Sequence, residues 1–99
     1  MRGRNMISVL IERNIAEDMQ STYEDAARRT LHQAYQAPGF INGETFIDMD
    51  NPLRRFVLSK WRSAQDWSYW YHSEQRKAMM NELNLILQDQ EKITMLVNY

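Results

Sequence analysis

Apolar residues fall on both alternating sets of the segment Met6–Arg13 (MISVLIER): Ile7, Val9 and Ile11 on one, Met6 and Leu10 on the other. Alternation predicts a strand, and apolar residues on both sets predict that both of its faces are covered. From Glu17 to Gln36 the period becomes that of a helix. Met19, Tyr23, Ala26, Ala27, Thr30, Leu31, Ala34 and Tyr35 form one stripe. On the polar side Glu24–Arg28 and Asp25–Arg29 stand at i, i+4 spacing. Pro38 and Gly39 end that helix, because the residue before proline leaves the helical region and glycine tolerates the backbone conformation of a helix stop. Ile41–Met49 predicts a strand, Asp50-Asn51-Pro52 a turn, and Arg54–Trp61 the returning strand.

The next stretch holds all three tryptophans. Ser63 opens a helix: its hydroxyl can accept from a free amide of the first turn, and Asp66 puts a carboxylate near the positive helix end. Ala64, Trp67, Trp70 and Tyr71 then share one face, which needs a flat apolar partner such as a sheet. Ser73 caps a further helix, Glu74 to about Leu87, with Met79, Met80, Leu83, Ile86 and Leu87 on its apolar side. Ile93–Val97 closes as a strand. The predicted order is β-α-β-β-α-β with a broken second helix, an α+β ferredoxin-like arrangement: a four-stranded antiparallel sheet with helices on one face. Helices cover only one face of such a sheet, so strands apolar on both faces predict a homodimer packed through the other.

With 99 residues the chain is one domain, expected at 6–99 behind a flexible tail of residues 1–5. The formal charge of −1 supplies no basic field for nucleic acid. No apolar run is long enough to span a bilayer, and MRGRN precedes a strand, not the apolar core of a leader. Zero cysteines remove disulfides and thiolate metal sites and fit a cytoplasmic setting; two histidines leave little for a multi-histidine centre. No metal or cofactor is expected.

Leu58-Ser59-Lys60-Trp61-Arg62-Ser63, followed by Trp67-x-x-Trp70 and Ser73, resembles the antibiotic biosynthesis monooxygenase family. Pro38-Gly39-Phe40 ahead of a strand holding Gly43, and Glu82-Leu83 before the last strand, extend the resemblance from Met6 onward. The resemblance implies a dimeric α+β barrel with a pocket between sheet and helices, open to a flat organic substrate. Its best-known members oxidise aromatic polyketides or hydroquinones with dioxygen, without metal or flavin; the protein then contributes positioning and charge control. Trp61 matches the family tryptophan at the strand end. The polyketide-oxidising members carry an Asn where this chain has Val57 and an Arg where it has Asn81, which argues against a polyketide. A haem-degrading branch needs a histidine ligand where this chain has Met80 and an asparagine near Glu12; its tryptophan corresponds to Trp70. Haem turnover is therefore not expected.

The expected function is a cofactor-independent monooxygenase acting on a small aromatic or quinol-like substrate. Alternatives on the same fold are an isomerase or lyase for a small carbonyl compound, and a non-enzymatic dimeric ligand-binding or stress-response module. Trp61, His72 and Tyr23 are the candidate catalytic residues, and Trp67, Trp70, Asn42, Tyr35 and Met80 the candidate substrate contacts. Each also has a structural reading. The tryptophans can be core. Tyr23 and Tyr35 need hydroxyl partners on a buried stripe. His72 suits a helix carbonyl end, and the methionines fill gaps. Glu44 and His32 are further scattered polar candidates, and Arg54-Arg55 beside the turn is expected to be solvated.

Overall fold

A computed structural model describes residues 5–99. Its elements are β1 (Ile7–Asn14), α1 (Gln20–Ala34), β2 (Phe40–Asp48), β3 (Asn51–Trp61), α2 (Ala64–Tyr71), α3 (Glu74–Leu83) and β4 (Lys92–Leu96). The sheet order is β2-β3-β1-β4, with every neighbouring pair antiparallel. This is the ferredoxin-like α+β arrangement expected from the pattern. Of the predicted tail, residues 1–4 lie outside the described residues.

Burial alternates along β1 with the strand period: Ile7, Val9, Ile11 and Arg13 point under the helices and are buried. Val57, Ser59 and Trp61 do the same on β3. The opposite face carries Leu10, Phe56 and Leu58, half-buried, and Phe46 and Leu96, exposed in the single chain. Coverage of both faces is thus not reached within one chain.

Both predicted serine caps form. Ser63 accepts from Asp66 N at 3.1 Å; Ser73 accepts from Arg76 N at 3.1 Å and donates to the Trp70 carbonyl at 2.7 Å. Ser73 therefore joins α2 to α3 directly and fixes the break between them.

Several boundaries differ from the sequence reading. Asp18 takes φ 66° and Met19 caps α1 without a side-chain bond, so the helix starts at Gln20 instead of Glu17. The hairpin turn is Met49-Asp50, held by Asp50 N donating to the Asp48 carboxylate, and Asn51 and Pro52 already belong to β3. α3 stops at Leu83 because the chain tightens to i, i+3 bonds and then pairs Leu87 with Ile15. Ile86 and Leu87 are still buried, as their place in the stripe predicts.

The expected i, i+4 pairs of α1 do not form; Glu24 and Arg29 bridge to other elements instead, and Arg28 pairs within the helix at i, i+3. Glu24 accepts from Arg55, Arg29 reaches Glu82, and Arg28 takes Asp25. Arg55 is not solvated: it is buried and also donates to the Pro52 carbonyl and to Gln20. Arg54 pairs with Glu12 and Asp48.

Gly39 sets how the loop after α1 meets α2. Its φ is 85°, its carbonyl accepts from Arg62 N at 2.8 Å, and a Cβ there would collide with the Asp66 side chain. Gly39→Ala combines a left-handed backbone with a clash and should cost about 1–3 kcal/mol. A denaturation midpoint equal to wild type would show that the loop relaxes freely.

Candidate functional site

The helix-facing side of the sheet and the three helices enclose a cavity of about 30 Å³. Trp61 (1 % exposed), at the end of β3, forms its floor. Phe40 and Trp67 meet Trp61 edge-on, with ring centroids 5.2 and 5.6 Å away, and Trp70 lies nearly parallel to it at 6.5 Å. Trp61 Nε1 donates to Ser59 Oγ at 3.0 Å, which satisfies the buried indole and fixes its rotation. As the Trp67-x-x-Trp70 spacing predicts, α2 puts both its tryptophans on the sheet side.

The polar wall comes from Thr30, Ser59, Arg13 and Arg76. Thr30 donates to the Ala26 carbonyl. Arg13 and Arg76 are both buried, and Glu91 stands behind them, accepting from Arg13 Nε at 3.0 Å and from Arg76 Nη2 at 2.5 Å. Arg76 also packs over the rings of Tyr71 and Trp67, 4.9 and 5.7 Å from their centroids. Burial pulls the Arg13 pKa down, but the charge interactions and hydrogen bonds with Tyr23 and Glu91 more than offset it. The net shift is upward, and the guanidinium stays charged.

Between α1 and β2 the cavity is bounded by Leu31 and Phe40. Leu31 and Phe40 close over Gly43, where an added Cβ would come within 2.9 Å of Leu31 Cδ1. Outside this contact a groove of about 290 Å³ runs along Leu31, Thr45 and Ile47 toward Tyr23.

Of the sequence candidates, Trp61, Trp67 and Trp70 meet at the cavity. Tyr23 is buried one step away, its hydroxyl accepting from Arg13 Nη1 at 3.3 Å. Met80 packs in the second core cluster with Ile15, Tyr23 and Leu83 and does not line the cavity. Tyr35 is 55 % exposed at the C-cap of α1, one position past the buried Ala34, and meets Phe40 edge-on from outside the cavity. Asn42 is exposed on β2 and pairs in register with Lys60, on the face away from the helices. His72 caps α2 at the surface, its Nδ1 2.9 Å from the Ser68 carbonyl. Glu44 and His32 are both exposed and do not line the cavity.

The residues the sequence reading passed over are Arg13, Arg76 and Glu91. The first two carried a signal. Arg13 continues the inward set Ile7, Val9, Ile11, and Arg76 precedes Met80 and Leu83 at i+4 and i+7. A charged residue in a buried phase is informative, since such groups are almost never buried unless paired. Glu91 lies in the irregular segment before β4, where no period marks it. Among the described residues no group of three or more His, Cys, Asp or Glu side chains is placed to hold a metal ion. Nor is any helix among them long and apolar enough to cross a membrane.

Solved structures share this architecture closely. A protein of Nitrosomonas europaea named for the antibiotic biosynthesis monooxygenases superposes with TM-score 0.88 at 12 % identity, over 99 % of this chain and 94 % of its own. SnoaB, a cofactor-independent oxygenase of Streptomyces nogalater, gives 0.87 at 9 % identity, over 96 % and 94 %. At these identities the likeness concerns the fold. Among curated proteins, SchA of Streptomyces halstedii is 26 % identical over 77 residues, which is 78 % of this chain. The 42.8 kDa protein in the whiE locus of Streptomyces coelicolor is 22 % identical over 83 residues, or 84 % of this chain. This chain spans only 20 % and 21 % of the length of those two relatives. The sequence profile described as "Antibiotic biosynthesis monooxygenase" matches residues 6–82. The chain therefore belongs to the antibiotic biosynthesis monooxygenase family.

Proposed function

We propose that the protein is a cofactor-independent monooxygenase for a small aromatic or quinol-like substrate, with the tryptophan-walled cavity as its reaction site. The observation that carries this reading is the cavity itself: indole faces and two buried cations in a chain of this family. Indole faces hold a flat ring in one orientation, and fixed cations favour the electron-rich, deprotonated form that reacts with dioxygen. For an activated methylene such as that of an anthrone, the balance closes without a cofactor. The carbon loses two hydrogens and gains a carbonyl oxygen, the second oxygen atom leaves as water, and the substrate supplies all the electrons. The fold of SnoaB, a cofactor-independent oxygenase by name, supports the reading.

A second reading has one observation in its favour. With the tryptophans as placed, about 30 Å³ holds a small molecule of water size and not an aromatic ring. That suits a binding or stress-response module in which the aromatics are core. Oxygen uptake separates the two. With a panel of quinols and anthrones and no added metal, flavin or nicotinamide, uptake should exceed the protein-free rate. A folded protein that leaves every substrate at the background rate would favour the module.

The same proposal includes a homodimer through the face of Leu10, Phe46, Phe56, Leu58 and Leu96, apolar and uncovered in one chain. Light scattering at micromolar concentration should give twice the chain mass; a single-chain mass would refute it.

A further inference from the structure

We propose that α2 is a lid: the helix moves outward as a unit, by backbone rotation at Ser63 and at His72-Ser73, and opens the tryptophan-walled cavity on the side of β4. The reading of the cavity as the reaction site gives this lid its purpose, but the opening itself is measured without any substrate.

Polar ties hold the other two helices to the sheet. Glu24 and Gln20 of α1 accept from Arg55 on β3, and Tyr23 accepts from Arg13 on β1. Arg76 of α3 donates to Glu91, just ahead of β4. α2 has no such tie. Among the described residues no hydrogen bond or ion pair joins a residue of Ala64–Tyr71 to a strand or to α1; its bonds stay within the helix and its caps Ser63, His72 and Ser73. What holds α2 is its aromatic face. Trp67 and Trp70 lie on Trp61, and Arg76 packs over Trp67 and Tyr71. These contacts can part without leaving a buried hydrogen-bonding group of α2 without its partner, so this element opens at the lowest cost.

Both ends of α2 have the form of hinges. Ser63 (φ −159°, ψ 162°) and Ser73 (φ −70°, ψ 154°) interrupt the helical backbone on either side. Arg62 N is fixed to the Gly39 carbonyl at 2.8 Å, so rotation at this end falls on Ser63.

The space beside α2 fits the motion. A groove of about 340 Å³ lies between α2 and β4, lined by Trp67, Tyr71, Ile93 and Met95 among others. Trp67 is a wall shared by this groove and the 30 Å³ cavity. β4 is an edge of the sheet, and Met95 is 51 % exposed in the single chain. Moving α2 outward carries Trp67 out of the shared wall and joins the two spaces. The closure on the other side, Leu31 over Gly43, stands on α1, which is tied down.

Proton exchange at the Trp61 indole tests the lid. Trp61 Nε1 is buried and donates to Ser59 Oγ, so its proton meets water only when the cavity opens. The Val9 amide, in the central strand and fully buried, gives the reference for global unfolding. After correction for intrinsic rates, the Trp61 indole proton should be about a hundredfold less protected than the Val9 amide. The chain has no cysteine, so Ser68→Cys on α2 and Met95→Cys on β4 can be joined across the groove by a bismaleimide. The crosslink should bring the indole proton back to the protection of Val9. Exchange of the wild-type indole only at the Val9 rate would overturn the lid; fast exchange that survives the crosslink would place the opening at Leu31 and overturn it as well. If thermal transitions show that the crosslinked protein does not fold, Tyr71→Leu decides: loss of the Arg76 contact should speed indole exchange about fivefold relative to Val9, and an unchanged ratio would overturn the lid. With a quinol or anthrone that the unlocked protein oxidises, the crosslink should stop oxygen uptake, and continued uptake would overturn α2 as the route of entry. Absence of uptake by the unlocked protein would remove only the oxygenase, and the exchange rates would still decide the lid.

Discussion

Replacing Glu91 with alanine should destabilise the fold by about 3–5 kcal/mol, the cost of leaving buried charges without their partner. For a domain of this length that corresponds to a fall in melting temperature on the order of 20 °C. The reason is the position of Glu91 between Arg13 on β1 and Arg76 on α3, with side-chain exposures of 3 % and 5 % for the arginines and 9 % for the glutamate. One carboxylate thereby ties the central strand to the last helix and anchors the segment that leads into β4. Its loss strands two cations at once. An exposed pair gives the control: Arg28 and Asp25 are 73 % and 67 % exposed, and Asp25→Ala should change stability by no more than about 0.5 kcal/mol. Similar effects for the two substitutions in urea denaturation would mean that water reaches Glu91 and the network is not buried in solution.

The architecture could be read from period and punctuation because those signals are local. The strand alternation of Ile7, Val9 and Ile11, the serines that cap α2 and α3, and the left-handed Gly39 after Pro38 each act through neighbours in sequence. The site was legible only in its apolar half. Trp67 and Trp70 point inward by helical spacing, and Trp61 by its phase with Val57. The polar half depends on which distant side chains meet. Arg13, Arg76 and Glu91 come from β1, α3 and an irregular segment, and Arg13 and Glu91 lie 78 positions apart. Composition and spacing do not encode that meeting, although the phase of Arg13 and Arg76 showed that each needs a buried partner. The expectation of solvated arginines failed at Arg55 for the same reason. Its partners Glu24 and Gln20 belong to α1, and only the packing of α1 on the sheet brings them within reach. His72, Asn42 and Tyr35 were attractive by residue type, yet each stands at a surface that the helix ends and the strand register determine.

Trp61→Ala should cost about 3–5 kcal/mol, because it removes a fully buried indole and leaves a void that its neighbours refill only in part. Phe40, Trp67 and Trp70 all pack on that ring, and Ser59 Oγ accepts its N–H, so three elements lose contacts together. Trp61→Phe keeps a ring in place and gives up the hydrogen bond and part of the volume, and it should cost less than half as much. The void also makes the test specific. In the alanine variant free indole fits the vacated space and should raise the melting temperature in proportion to the logarithm of its concentration; the same indole should leave the wild type unmoved. A loss below about 1 kcal/mol would show that Trp61 is not core and that the cavity stands open in solution. Activity is read on whichever variant remains folded. If the indole face orients the substrate, Trp61→Phe should remain folded and still slow oxygen uptake with a reactive quinol or anthrone. Equal uptake by the two folded proteins would reduce Trp61 to a packing role and move the orienting surface to Trp67, the next indole along the cavity wall.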